Sequence, residues 1–585
     1  MSTTAETRPD NAREIRPLRI GNASGFYGDR FAAMREMLTG GPLDVLTGDY
    51  LAELTMLILG RQRLADPKAG YARTFLKQLE ECLGLATDHG VRIVSNAGGL
   101  NPAGLAEAVS ALADRLGLAV RVGYVTGDDL RDRAGELGWP EALTANAYLG
   151  GWGIAECLRA DADVVITGRV TDASLVVGPA AAHFGWRRAD FDALAGATVA
   201  GHVLECGAQA TGGNFSFFTE LGDLGRPGFP IAEVHADGSA VITKHPDTGG
   251  AVSVETVTAQ LLYEIGGPAY FGPDVTARFD TLTLAADGPD RVRIAGVRGE
   301  SPPNCLKVAV NTLDGFRNSV TFVLCGLDIE AKAELVRGQL GGEDVTWTLA
   351  RVDRPDADTE ETASALLHAT VRTPDAQRAK AFARSCVELA LSSVPGFTMT
   401  APPADGAPVG VYHDGFVSPA GVRQVAVLPD GAEVEIPATL SNQPTWLMVG
   451  NDTPEPLPDG PTRRVPLGTV FGARSGDKGG NANLGVWAHG DSTGSTDSTD
   501  RGYRWLAAEL TVDRLRELLP EARDLDIERY EFANLRAVNF VLRGLLGQGV
   551  AASTRFDPQA KALGEWFRSR LADIPESLLP PESPL

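Results

Sequence analysis

Residues 162–174 read ADVVITGRVTDAS. An apolar, β-branched run ends in a Gly-containing polar turn, and a helix-like stretch follows. That is the cadence of a parallel sheet covered by helices. Four earlier stretches repeat it: LRIGNASGFYGDR (18–30), LDVLTGDYLAE (43–53), VRIVSNAGGLNP (91–102) and LAVRVGYVTGDDL (118–130). Between them, 71–84 and 102–116 carry apolar residues three and four apart, as an amphipathic helix requires. The expected fold class is α/β, with a Rossmann-like parallel-sheet large domain.

Outward from this core the pattern changes. Between about 230 and 330, β-branched and aromatic runs such as SAVITKH and NSVTFVLCGL predict a strand-rich middle part. Residues 328–395 regain helical character. NDTPEPLPDGPTRR (451–464) reads as a linker because Pro and charge dominate it. A small α+β domain should follow, with strands at VPLGTVF, ANLGVWA, ERYEF and VAASTRF, and helices over 512–519, 534–546 and 558–572. HGDSTGSTDSTDR (489–501) reads as a flexible surface loop. The division is thus a disordered tail at 1–15, a large domain at 16–450, the linker, a small domain at 465–575 and a tail at 576–585.

A formal charge of −23 argues against sequence-independent nucleic-acid binding, since no basic stripe offsets it. Six scattered cysteines with no C-x-x-C pair fit a reduced compartment. No run approaches the roughly 20 apolar residues of a membrane span, and residues 1–15 lack the apolar centre of a signal peptide. The expectation is a cytoplasmic protein without a membrane partner.

In open α/β sheets ligands bind where strands end. The five units bring Asn22, Ser24, Tyr27, Asp49, Glu53, Asn96, Gly98, Asp128, Arg169, Thr171 and Asp172 there. The same residue types also cap helices and close turns. Arg169 can grip a carboxylate or phosphate in a two-pronged way, and Asp172 is a candidate acid or base, against the rival reading of an internal ion pair. GHVLECGAQATGGN (201–214) offers Glu205 for proton transfer and TGGN, Thr211 to Asn214, for backbone amides that hold an oxygen or phosphate; Cys206 reads as inert. In FGARSGDKGGNANLGV (471–486), Arg474, Lys478 and four glycines could cradle an anion, or form a tight hairpin. It is not a P-loop, because Gly479 follows Lys478. GWGIAE (151–156) lacks the third glycine of a dinucleotide fingerprint and is expected after a helical stretch instead of a strand, so no cofactor is assigned. Nor is a metal, although a dispersed carboxylate Mg²⁺ site stays open.

Together RIGNASGFYGDR, VLTGDYLAE, IVSNAGGLNP, VITGRVTDAS, ECGAQATGGN and YEIGGPAYFGPDV resemble the large N-terminal domain of the acyclic terpene utilisation protein A (AtuA) family. GARSGDKGGNANLGV and NLRAVNFVLRGLLGQGVAASTRFDPQAKALG resemble its C-terminal ferredoxin-like domain. The resemblance implies catabolism of acyclic terpenes through branched acyl-CoA intermediates. It departs at Gly267, where the family usually has Asp, and in the tract at 491–500, which looks inserted. The functional expectation is a lyase or hydratase acting on a carboxylate or CoA thioester, with Asp172, Glu205 and Asp49 catalytic. Arg169, Asn22, Ser24, Asn96, Gly98, Thr211, Asn214, Arg474 and Lys478 are the expected substrate contacts. The alternative is a non-catalytic acyl-CoA-binding or assembly protein. The partner is a small molecule, and a homo-oligomer is left open.

Overall fold

The structure, a computed structural model, describes residues 16–439, 454–490 and 496–580. The expected tail at 1–15, the start of the linker and residues 581–585 lie outside the described residues.

Among the described residues the large domain is mixed α/β. Its main sheet has eleven strands, and the five units supply its parallel middle. Leu18–Asn22, Val45–Gly48, Arg92–Ser95, Val164–Thr167 and Val122–Thr126 lie side by side in that order, every pair parallel. Helices bury the apolar faces these strands present. Pro102–Leu116 shows how: Asn101 accepts from Gly104 N at 3.0 Å, Pro102 opens the helix and Gly117, left-handed, closes it. Its Leu105, Val109 and Leu112 pack in the same cluster as Ile93 and Ile166.

The middle region is less separate than its composition suggests. Pro230–Val234, Ala240–Lys244, Val292–Ala295 and Thr283–Ala286 extend the main sheet antiparallel from Leu18–Asn22, and Gln424–Val427 and Glu433–Ile436 extend its other edge. The 20-residue strand Leu306–Cys325 anchors a second sheet, pairing with Ser364–Thr373, Phe397–Met399, Ala407–Val417 and Thr144–Ala147. Within 328–395 the helices Ile329–Leu340 and Ala376–Glu388 enclose two strands, Val345–Ala350 and Ser364–Thr373, so the helical reading there holds only at its ends. GWGIAE follows the strand Thr144–Ala147, not a helix.

The small domain is a four-stranded antiparallel sheet in the order Phe471–Lys478, Asn481–Ala488, Ala537–Leu542, Ile527–Phe532. Three local expectations fail. Residues 534–546 contain the strand Ala537–Leu542, whose side chains are buried throughout, and a short run buried on both faces carries no period that separates strand from helix. VAASTRF forms no strand, and the final helix is limited to Leu563–Ser569. The 489–501 tract is partly outside the described residues, but Thr496 already begins the helix Thr496–Glu509. Residues 462–464 of the expected linker belong to the strand Thr462–Pro466, which pairs with Leu571–Pro575.

The two domains share a densely bonded seam. Asn483 accepts from Glu264 N at 2.9 Å and donates to Leu262 O at 2.7 Å and Asn539 Oδ1 at 2.9 Å. Asn539 donates to Gly266 O, and Asn534 to the carbonyls of Phe279 and Leu282. Glycines permit the approach: a Cβ at Gly485 would sit 2.6 Å from Leu262 Cβ, and one at Gly476 would overlap Tyr263. Trp487, Phe532 and Leu535 of the small domain pack into the large domain's core.

Candidate functional site

The C-terminal ends of the parallel strands do converge. Asp49, after Val45–Gly48, accepts from Asn96 Nδ2 at 2.6 Å and Leu51 N at 3.1 Å. Arg169, after Val164–Thr167, donates to Leu51 O at 2.9 Å and Asp172 Oδ1 at 2.8 Å, and its guanidinium lies 4.3 Å from the centre of the Tyr148 ring. Arg169 is only 3% exposed, whereas a quarter of the Asp172 side chain is open.

Other elements bring further charges to the same place. Glu205 ends the helix Phe191–Glu205, with His202 one turn earlier and its Nδ1 3.2 Å from Glu205 Oε1. Glu264 follows the helix Val254–Leu261 in a left-handed conformation. The second sheet contributes Lys307, 3.0 Å from Asp414 and 3.9 Å from Glu53, with the rings of Tyr148 and Tyr412 5.4 and 5.6 Å away. From the small domain come Arg474, 4.4 Å from the Tyr263 ring centre, and Lys478, which donates to Glu264 O at 2.7 Å. A cleft at this seam is lined by Glu53, Asn311, Tyr412, Asp477, Gly479 and Gly549.

The electrostatics favour proton-bearing carboxyls. Burial, then the charge of Asp172, holds Asp49 well above the usual carboxylate range. Burial, Asp172 and Glu264 do the same for Glu205, and Asp477 is pushed up to about 8 by burial and by Glu264 and Glu53. Asp172 is raised by burial, with Arg169 opposing. Glu53 goes the other way: burial would raise it, but Lys307 and Arg169 pull it below its ordinary value. His202 is lowered to about 4 by burial and by Lys478, so it is neutral at pH 7. Several buried atoms here have no hydrogen-bond partner within the protein: Glu205 Oε2, His202 Nε2, Gln260 Oε1, Arg474 Nη2 and Arg169 Nε.

The expected contacts divide into two groups. Asp49, Asp172, Glu205, Arg169, Arg474 and Lys478 belong to the cluster. Asn22 is occupied in tying strand to helix, donating to Leu204 O at 2.5 Å and accepting from Ser24 N; Ser24 donates to Phe26 O. Asn96 holds Asp49 and accepts from Tyr50 N, so it orients the acid. Gly98 serves close packing, since a Cβ would lie 2.5 Å from Thr167 O. At TGGN the amides of Gly212 and Gly213 donate to Gln209 O and Ala208 O, the Thr211 hydroxyl donates to Ala208 O and Gly228 O, and Asn214 is exposed and left-handed. Asp128, raised to about 7 by burial, accepts from Arg169 N and Asn146. The residues 471–478 form a strand rather than an anion-cradling loop, and only Gly479 and Gly480 make the turn. A Cβ at Gly267 would meet Tyr530 at 2.9 Å, so an aspartate at this position would press on the small domain.

Glu264, Lys307, Tyr148, Tyr270 and Tyr412 escaped the sequence reading. None follows a parallel strand, and only YEIGGPAY, quoted for the resemblance, pointed toward two of the region's residues. Among the described residues no group of three or more His, Cys, Asp or Glu is arranged to hold a metal ion, and no helix is long and apolar enough to cross a membrane.

Fold and site thus define a mixed α/β protein whose small domain seals a charged cleft at the strand ends of the large one. The model of the acyclic terpene utilisation family protein AtuA matches residues 18–428, and that of the AtuA ferredoxin-like domain matches residues 465–571. The chain belongs to the AtuA family, with a ferredoxin-like C-terminal domain. No curated protein and no solved structure matches it.

Proposed function

We propose that the seam cleft is an acid–base site for a branched acyl-CoA or related carboxylate, catalysing hydration, dehydration or carbon–carbon cleavage beside the thioester. The observation that carries this reading is the meeting of carboxyls and cations from both domains around one cleft, with burial shifting several of the carboxyls above their ordinary range. Glu205 is the acid: its carboxyl is strongly raised and Oε2 has no protein partner. Asp172, partly open and restrained by Arg169, is the base. Two carboxyls whose environments differ in this way divide the two roles between them. Asp49 sits behind them as a proton reserve, and Arg169 and Lys307 supply the positive field that steadies an enolate-like oxygen. Family membership supports the terpene setting, and the domain division at 16–450 and 465–575 fits a site closed from two sides.

Purified protein mixed with geranyl-CoA and shorter branched acyl-CoA thioesters, followed by mass spectrometry, tests the proposal. Turnover that disappears in Glu205→Gln and Asp172→Asn is the expected result. Binding without turnover in the wild type would favour the non-catalytic carrier, and neither binding nor turnover would remove the acyl-CoA assignment.

A further inference from the structure

We infer that Lys478 is a nucleophilic amine that condenses with the carbonyl of a ketone- or aldehyde-bearing carboxylate or thioester to form an imine. The inference deepens the acid–base reading of the cleft and rests on it. Lys478 ends the strand Phe471–Lys478, between Asp477 and Gly479, both of which line the cleft. Its Nζ is anchored on a backbone carbonyl, Glu264 O at 2.7 Å, and lies 5.8 Å from the centre of the Tyr270 ring. Among the described residues no carboxylate comes within ion-pair distance of this amine. Lys307, the other lysine of the seam, has Asp414 at 3.0 Å and Glu53 at 3.9 Å. The two lysines therefore have opposite surroundings: one is neutralised by acids, the other is half-buried without a counter-ion.

A desolvated ammonium near a second cation gives up its proton readily. Burial, and after it the charge of Lys307, hold Lys478 below the ordinary lysine range, against the pull of Glu264, Glu53 and Glu205. The anchoring hydrogen bond survives deprotonation, since a neutral amine still donates an N–H to Glu264 O and keeps a lone pair for attack. Tyr270, beside this amine, packs edge-on against His202, itself neutral.

The step balances without a redox partner. The Nζ lone pair forms the C–N bond as the carbonyl π pair moves to oxygen. That oxygen takes a proton from Glu264 or Glu205, whose carboxyls burial shifts toward the protonated form, and the nitrogen returns one to the carboxylate. A second protonation of the hydroxyl by the same carboxyl releases water as the nitrogen lone pair closes the C=N bond. The iminium N–H then returns that proton to the carboxylate, so the sum is amine plus carbonyl giving imine plus water.

Competitive labelling of the full-length protein with acetic anhydride over a pH series tests the amine directly, with reactivity read by mass spectrometry at Lys478 and at the exposed Lys68 and Lys77. Lys478 is expected to reach half-maximal reactivity at lower pH than either. A midpoint equal to or above theirs, or no labelling at a pH where both react fully, overturns the inference, because a carbonyl must reach the same lone pair. In the second arm the protein is incubated with acetoacetate and reduced with borohydride. The peptide carrying Lys478 should gain the mass of the reduced adduct in the wild type and not in Lys478→Arg. An adduct no more abundant at Lys478 than at Lys68 also overturns it. Either failure leaves the acid–base reading to the separate Glu205→Gln and Asp172→Asn assay.

Discussion

Glu205 and Arg169 show how differently two residues of one cluster should respond to substitution. Glu205 has one unpartnered oxygen and meets the neutral His202 with the other, so Glu205→Gln should keep the fold while turnover falls on the order of 10²- to 10⁴-fold, the usual contribution of a positioned acid. Steady-state rates alongside thermal unfolding check both halves. Arg169 instead ties Leu51 O and Asp172 together from a 3% exposed position. Arg169→Ala should therefore destabilise by about 3 kcal/mol, as breaking a buried pair does, measured by urea unfolding. At this scale the sequence was informative about chemistry and poor about orientation. TGRVTDAS pointed to both members of the Arg169 and Asp172 pair, but Thr211 has its hydroxyl bonded to two backbone carbonyls. Whether a polar side chain faces a cleft or closes a turn depends on its neighbours in space.

At the scale of elements, close packing rather than polarity explains several glycines. A Cβ at Gly98 would lie 2.5 Å from Thr167 O and 2.8 Å from Pro102 Cα, both backbone atoms that move only with their strand or helix. Gly98→Ala should accordingly destabilise by roughly 1–3 kcal/mol, read from a shifted denaturation midpoint. The five parallel strands and the helix Pro102–Leu116 were legible because one-sided burial leaves a period in the sequence. Ala537–Leu542 was not, since all six of its side chains are buried. The wing formed by Pro230–Val234 and Ala240–Lys244 looked like a separate part for another reason: composition shows strands but not which sheet they join.

Across the whole molecule, protonation at the seam is linked to folding. Asp477 binds its proton with a value of about 8 in the folded protein against an ordinary 3.8. Between those values the folded state holds more protons than the unfolded one, so this contribution to stability weakens as pH rises through the window. The unfolding midpoint should decline with pH over that range, and Asp477→Asn should flatten the decline, as thermal scans at a series of pH values would record. Asn483→Ala addresses the seam itself. It leaves Glu264 N, Leu262 O and Asn539 Oδ1 without their partner, and each buried loss costs about 1–3 kcal/mol. Faster amide exchange across 262–266 and 483–488 is the expected signature.

The sequence by itself determined the α/β alternation, the order of the large and small domains and the membership of the AtuA family, because hydrophobic period, turn chemistry and ordered motifs are local properties of the chain. Only the tertiary structure decided which charges share a cleft. Lys307, Glu264 and Lys478 come from three separate parts of the chain, and their mutual burial at the seam, which shifts their protonation, has no counterpart along the chain. The ADVVITGRVTDAS unit lies at the meeting point of both: its strand follows from pattern, and the partners of Arg169 and Asp172 follow from packing.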